Sequence, residues 1–305
     1  MKRIKLIRGL CLFLPPLIAQ KLRSHLISKK SKQEIKGEFR RKAFFGGNFI
    51  GNFNDFHSFR FYIHGYFEWR NVVLAYKIQK LKAGDIIEVG ANVGTETVSL
   101  VKITGSNQLH AFEPVKENFS YLKAIKKIND YTNLMLYQNL VSDVSGIAFF
   151  KQPDPFNSGS GHITSVENKG TLKYQVVTLD EILSSINSCS LIMMDVEGFE
   201  LNVLRGSRGL ISRFKPYFII EVNPLFLKER ANINVSSLYK EIWEMGYECF
   251  YIEKWRIEKV EINEFQDKSN KNWLCIPIED LKYKRQLSQT IKYNALNPFI
   301  NFRIF

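Results

Sequence analysis

From residue 84 to residue 276, short apolar runs alternate with stretches whose apolar residues recur every three or four positions. Runs of four to six apolar residues bounded by Gly, Pro or polar turns suit strands buried on both faces, and the longer periodic stretches suit crossover helices. The pattern predicts strands at 86–89, 108–112, 134–138, 191–194 and 217–222, helices at 95–103, 116–128, 199–214 and 235–245, and a closing strand pair at 247–252 and 273–276. Alternation of this kind makes an α/β fold with a mostly parallel sheet. Upstream, FNDFHSFRFYIHGYFEWRNVVLAY predicts an aromatic-rich lead-in with a helix over 69–81. Residues 148–173, with PDPFNSGSGHITSVENKG inside them, are rich in Gly, Ser, Asn and Pro and predict a loop or flap, the usual place for substrate recognition over strand ends.

The stretch DIIEVGANVGTETVSLV reads as strand, tight turn and helix, a geometry that brings ligands close to bare backbone and to unpaired helical N–H groups. Dinucleotide folds place a middle glycine in this turn and phosphate-cradling loops a lysine; this turn has neither. Instead Glu88 stands two residues before Gly90, where a carboxylate repels phosphate and attracts a cation. The expected guest carries an amine. A second acid, Glu113 in HAFEP, closes the next predicted strand, where a carboxylate accepts hydrogen bonds from two ribose hydroxyls. The third strand runs into NLVSD, which puts Ser142 and Asp143 within reach of an adenine edge; the fourth runs into LIMMDVEGFE, with Asp195, Glu197 and Glu200 at its end. Asp195 and Glu197 are the candidate proton acceptors, with His162 as an outside choice.

The net charge of +13 suggests nucleic acid until it is located: residues 1–45 carry +11, residues 281–305 carry +5, and the body between them −3. The N-terminal MKRIKLIRGLCLFLPPLIAQKLRSHLISKKSK has an apolar patch too short to cross a bilayer and broken by Pro15–Pro16, which predicts an interfacial anchor on anionic lipid. Four cysteines without C-x-x-C spacing imply neither a zinc site nor a disulfide scaffold, and a reducing compartment. The expected division is therefore 1–45 as a basic, partly apolar membrane-surface segment, 46–83 as a helical lead-in, 84–277 as the catalytic domain and 278–305 as a basic tail.

In order, HGYFE, GDIIEVGANVG, HAFEP, NLVSD, VTLDEI, DVEGFELNVLRG and IIEVNP resemble the FkbM-type S-adenosylmethionine-dependent methyltransferases over roughly residues 60–250. The resemblance implies a Rossmann-like class I methyltransferase fold, a seven-stranded sheet of order 3-2-1-4-5-7-6, and O-methylation of a glycan, lipid-linked sugar or related metabolite. It implies that Glu88, Gly90, Ala91, Asn92 and Gly94 hold the methionine end of S-adenosylmethionine, Glu113 and Pro114 the ribose, Ser142 and Asp143 the adenine, and that Asp195 also contacts the cofactor. No metal is compelled by the residues, although Asp195, Glu197, Glu221 and Asn223 offer oxygen ligands at adjacent strand ends that would suit magnesium. Two positions depart from the family pattern: Glu88 replaces the usual Asp, and Met193 stands where a lysine is common. The expected partners are a small-molecule or glycan acceptor and an anionic membrane surface, with no nucleic acid, and the expected location is the cytoplasm, at the inner membrane face. The competing readings are a nucleic-acid methyltransferase, opposed by the acidic Asp195–Glu197 turn, and a non-catalytic membrane-tethered S-adenosylmethionine-binding protein.

Overall fold

The structure, a computed structural model, describes residues 2–27, 36–164, 167, 170–261, 270–298 and 300. A hairpin of β1 (Glu38–Lys42) and β2 (Asn48–Asn52) precedes the main sheet. The sheet is assembled from β3 (Ile86–Val89), β4 (Leu109–Phe112) and β5 (Leu134–Tyr137), and later from β10 (Leu191–Met194), β11 (Tyr217–Val222), β12 (Tyr247–Ile252), β13 (Ile257–Lys259) and β14 (Lys271–Pro277). Between the two sets lie β6 (Leu140–Val141), β7 (Gly146–Lys151), β8 (His162–Thr164) and β9 (Thr171–Val177).

The main sheet runs β13-β12-β14-β11-β10-β3-β4-β5. Read from β5, its first seven strands follow the expected order 3-2-1-4-5-7-6, and β13 adds an eighth at the edge through a hairpin with β12. Strands β3, β4, β10 and β11 pair in parallel, whereas β14 enters antiparallel between β11 and β12. Every residue of β3, β4 and β10 is buried, as the unbroken apolar runs require of strands covered on both faces. The chain reverses its winding between β3 and β10, and the carboxyl ends of the strands at such a switch point are where open α/β sheets bind ligands.

Three expectations are corrected. The 148–173 segment is not wholly a loop: 148–151, 162–164 and 171–173 belong to a second sheet, β6-β9-β7-β8, and 152–161 is irregular; Phe150 and Val176 of this sheet are buried while Ile147 and Leu172 are exposed, an alternation hidden by the flanking Gly, Ser and Asn. The lead-in is not wholly helical: β2 precedes the Phe56–His64 and Trp69–Leu81 helices. The C-terminal segment is not a tail, because the Lys284–Leu296 helix buries Leu287, Ile291 and Ala295, at i, i+4 and i+8, in the core shared with Trp69–Leu81.

The N-terminal segment also joins that core. Helices Lys2–Cys11 and Pro16–Leu26 bury Ile4, Ile7, Cys11 and Ala19 in it, while Leu6, Leu10, Phe13 and Ile18 stay exposed. Among the described residues no helix is long and apolar enough to cross a membrane.

Candidate active site

The turn after β3 is built from three residues with positive φ: Gly90 (85°), Asn92 (51°) and Gly94 (87°). Gly90 is obligatory for a second reason, since a Cβ there would stand 2.0 Å from the carbonyl oxygen of Asp195. The loops after β3 and β10 therefore touch backbone to backbone at the switch point. A Cβ on Gly94 would meet Ile125 and Leu122 of the next helix at 2.8 and 2.9 Å, so that glycine lets the helix pack close. The backbone N–H groups of Gly90 and Ala91 both donate to the Phe112 carbonyl at 3.0 Å, and that of Asn92 donates to Glu113 Oε2 at 2.8 Å. Glu113 Oε1 accepts from Val115 N at 2.9 Å and Asn118 Nδ2 at 3.3 Å. Glu113 thus ties the turn to the start of the Lys116–Ile128 helix, and Oε2 keeps one lone pair for a ligand.

Two pockets meet at this turn, sharing Val89, Gly90, Asn92 and Asp195. The first has apolar walls of Phe112, Val115, Leu140, Val141, Phe150 and Ile163, with Glu113 and Pro114 at one side. The second is polar: Glu68, Glu88, Glu96, Asp195 and Glu221 face it, with His57, Phe67, Asn71 and Asn272. The 152–161 turn covers the junction and is fastened on two sides. Asn118 Nδ2 donates to Ser158 O at 3.1 Å, Ser158 N donates to Asp55 Oδ1 at 3.1 Å, and Phe56 N donates to Phe156 O at 3.1 Å. His57 Nε2 lies 3.1 Å from Asn157 Oδ1, and its ring stacks on Phe67 with centroids 4.6 Å apart.

Five acids around one cavity cannot all ionise cheaply in a low dielectric. Burial pushes the Glu88 carboxyl up to about 8, against the opposing hydrogen bond from Thr97 Oγ1 at 2.7 Å, with the Glu113 charge adding to the rise. Burial likewise pushes Glu113 up to about 7 in spite of its three donors. Glu96, which accepts from Asn71 Nδ2 at 3.2 Å, is raised well above the carboxylate range by burial and then by Glu88 and Glu68. Asp195 is solvent-accessible where it opens to the pocket, and desolvation, followed by the charges of Glu221, Glu197 and Glu200, raises its affinity for a proton. Desolvation lowers His57, which holds its imidazole neutral at pH 7. A monocation entering this cavity would relieve the mutual repulsion.

Of the residues expected from sequence, Gly90, Asn92, Glu113, Pro114, Asp195 and Glu197 line the first pocket, and Glu88, Ala91 and again Asp195 the second. Gly94 supports the turn from beneath. Ser142 and Asp143 line neither: Ser142 Oγ donates to Asp143 Oδ1 at 2.9 Å and Asn202 Nδ2 donates to the same oxygen at 3.1 Å, which turns both towards the Glu200–Arg205 helix. Asn139, Leu140 and Val141 take the wall position instead. Glu197 is held by Arg230, whose Nη1 lies 2.9 Å from Oε2, while burial pushes its carboxyl up to about 7 against that pairing. Glu200 Oε1 accepts from Gly198 N at 3.0 Å within the turn, and His162 lies outside both pockets. His57, Asn71, Glu96 and Asn272 have no local sign in the sequence; Phe67 and Glu68 stand in HGYFE and Glu221 in IIEVNP, motifs of the resemblance that by themselves assign these residues no place at the pocket.

The profile of the methyltransferase FkbM domain matches residues 88–251, more than half of the chain. The chain belongs to the FkbM methyltransferase family. It is 27% identical over 154 residues to the hexuronic acid methyltransferase AglP of Haloferax volcanii, a match covering 50% of this chain and 61% of that relative. Among solved structures it is similar to an FkbM methyltransferase from Methylobacillus flagellatus (TM-score 0.44, 16% identity, 71% of this chain and 52% of that one). It is also similar to the Streptococcus mutans protein SMU.1697c in complex with SAH (TM-score 0.38, 10% identity, 66% of this chain and 94% of that one). The cofactor of FkbM methyltransferases is S-adenosylmethionine, and the residues present fit it. Asn92 Oδ1 and Ser158 Oγ are buried at the first pocket without hydrogen-bond partners, the apolar walls suit a purine, and the neighbouring acids suit a sulfonium and an ammonium group.

Proposed function

We propose that this FkbM methyltransferase moves a methyl group from S-adenosylmethionine to a hydroxyl of a glycan or related polyhydroxylated acceptor. The observation that carries the reading is the junction: an apolar-walled cavity and an acid-lined cavity share Gly90, Asn92 and Asp195, so a nucleoside in the first directs its amino-acid end and sulfonium into the second. The bound cofactor supplies an electrophilic methyl group. The chain's part is to hold the two reactants in line, exclude water beneath the 152–161 turn and accept one proton. With the cofactor bound, Asp195 would be the group to accept the hydroxyl proton, since desolvation and then the charge of Glu221 raise its affinity for one.

The acceptor class rests on the second pocket. Carboxylates and the amides of Asn71 and Asn272 suit hydroxyl donors, and the stacked His57–Phe67 pair offers a flat apolar face to a sugar ring. The relative AglP is a hexuronic acid methyltransferase, which supports a sugar acceptor, but an acid-lined wall favours a neutral or amino sugar at the reacting position over a uronate. The same acids oppose a polyanionic nucleic acid there. The test is incubation with methyl-labelled cofactor and fractionated cell-envelope glycans, followed by mass analysis of the product. Labelled sugar supports the reading; cofactor binding without transfer to any fraction would instead favour a non-catalytic binding protein.

A peripheral membrane location is part of the proposal. Leu6 and Leu10, one helical turn apart, and Phe13 just past the helix end are exposed in a segment that also exposes Arg3 and Lys5. Flotation with vesicles containing anionic lipid should carry the full chain and leave a Leu6→Ser, Leu10→Ser, Phe13→Ser variant behind; equal flotation of both refutes the anchor.

A further inference from the structure

Behind the acid-lined pocket lies a cluster of opposite charge. Arg23 from the Pro16–Leu26 helix, Arg41 from β1, Arg60 and His64 from the Phe56–His64 helix, and Tyr66 and Trp69 just beyond it converge there. His64 and Tyr66 flank Gly65, with rings stacked at 5.2 Å, and a Cβ on Gly65 would meet the Arg41 guanidinium at 3.5 Å. Arg23, Arg41 and Arg60 all act on His64 and depress its basicity beyond the effect of burial, and Arg60 likewise depresses Arg23 after burial.

Six polar atoms of this cluster are buried without a hydrogen-bond partner. Arg23 Nε, Arg41 Nε, Tyr66 Oη, Trp69 Nε1 and both ring nitrogens of His64 are buried without partners, in side chains that are 9% (Arg23), 3% (His64), 1% (Tyr66) and 0% (Trp69) exposed. Orphaned buried donors are rare because each forfeits its hydration, and three guanidinium groups gathered together add mutual repulsion. The nearest acid acting on the group, Glu68, faces the second pocket and pairs with Arg70 at 3.6 Å. One anion with several acceptor oxygens answers both deficits, and guanidinium forks match a phosphate.

The cluster adjoins the acceptor pocket directly. Tyr66 is followed by Phe67 and Glu68, which line that pocket, and Arg60 sits 5.4 Å from the centre of the Phe67 ring on which His57 stacks. We propose that Arg23, Arg41, Arg60, His64, Tyr66 and Trp69 form a phosphate-binding subsite, and that the acceptor is a glycosyl phosphate whose sugar lies in the acid-lined pocket. The choice of a sugar rests on the function proposed above; the phosphate subsite does not. A phosphate here also explains how an acid-lined pocket admits an anionic substrate, with the two charges kept on opposite sides of Phe67.

The test is calorimetric titration of the full chain at low salt with inorganic pyrophosphate, with glucose 1-phosphate, and with phosphatidate vesicles, each repeated on Arg23→Met and His64→Phe. Wild type should bind the soluble phosphates saturably, and each variant should weaken them by about tenfold or more, as loss of a charge-assisted donor predicts. S-adenosylmethionine should bind all three proteins alike, which shows them folded and separates failure of the subsite from failure of the methyltransferase reading. Removing an unpaired buried charge should leave the melting temperature of Arg23→Met equal to or above wild type. No saturable binding of either soluble phosphate, equal binding by the folded variants, or binding to vesicles alone would each overturn the proposal.

Discussion

The two pockets that meet at Gly90 differ in how they are encoded. The apolar-walled one is drawn largely from consecutive loops, those after β3, β4 and β5, each ending a strand of the parallel sheet. The acid-lined one gathers His57, Phe67, Glu68 and Asn71 from the lead-in, Glu88 and Glu96 from around the β3 turn, and Glu221 and Asn272 from strands far along the chain. A pocket placed by topology is therefore local in sequence, whereas one placed by packing is not. Their difference in charge matches the division of labour proposed above: area and shape suit the first to a neutral purine, and charge and hydrogen bonding suit the second to a cationic sulfonium and a hydroxyl.

The largest effect should come from the residue both pockets share. Gly90→Ala places a methyl group 2.0 Å from the Asp195 carbonyl oxygen at a φ of 85°, so the β3 and β10 loops must separate. Strain and overpacking of this kind cost roughly 2–4 kcal/mol, and the expected result is loss of measurable cofactor binding with a lower melting temperature. Unchanged calorimetric affinity for S-adenosylmethionine in this variant would show that the loops' contact does not define the site.

Next come substitutions meant to separate the pockets. Glu113→Ala removes the ribose acceptor and leaves Asn92 N and Val115 N unpaired, which should weaken the cofactor about 100-fold, on the scale of 2–3 kcal/mol for charge-assisted hydrogen bonds. Asn71→Ala should instead raise the acceptor KM several-fold with the cofactor Kd unchanged, a split readable by steady-state kinetics once a labelled acceptor is in hand. If both variants moved both constants equally, the pockets would be one site.

This division also explains what the sequence disclosed. Glu88, Gly90, Asn92, Glu113 and Asp195 were readable because each stands at a strand end, where apolar periodicity stops and a polar residue must face the crevice. The strand positions followed from the same periodicity, and their order from the resemblance to the FkbM family. His57 and Glu68 were not readable, since they sit among aromatic residues whose burial gives no hint of which polar neighbour points inward. The Lys284–Leu296 helix was mistaken for a tail because its charges dominate composition while its three core contacts are spaced one turn apart. Residues 148–173 were mistaken for a loop because composition outweighed a weak alternation.

A smaller effect, on pH dependence, tests the charge contrast. Glu88 and Glu113 hold protons in the folded state, up to about 8 and 7, that they would release near 4.5 when unfolded. The folded protein thus binds more protons than the unfolded one above the unfolded carboxyl range, and its stability falls as pH rises. Below pH 6.5 the depressed basicity of His57 and His64 acts in the opposite sense, so the window that isolates the acids is pH 6.5–8. Across it the cofactor-free protein should lose up to about 1.4 kcal/mol per pH unit from Glu88 alone, seen as a falling denaturation midpoint. Glu88→Gln should flatten the slope, and an unchanged slope would mean that the carboxyl ionises normally.

The smallest effect concerns a position where the two kinds of evidence part. Strand-end logic puts Ser142 and Asp143 beside the purine, yet the Ser142 carbonyl packs against Gly206, where a Cβ would come within 2.0 Å, and both side chains face Asn202. The chain has already turned away from the pocket by residue 142, leaving Leu140 and Val141 to meet the base. Ser142→Ala removes one partly exposed hydrogen bond to Asp143 and should change the cofactor Kd by less than about threefold, under roughly 0.7 kcal/mol. Leu140→Ala, in contrast, strips apolar area from the wall and should weaken the cofactor by about tenfold. If Ser142→Ala proved the more damaging of the two, the loop after β5 would have to turn inward when the cofactor binds, and the apolar pocket would owe its selectivity to hydrogen bonds instead of shape.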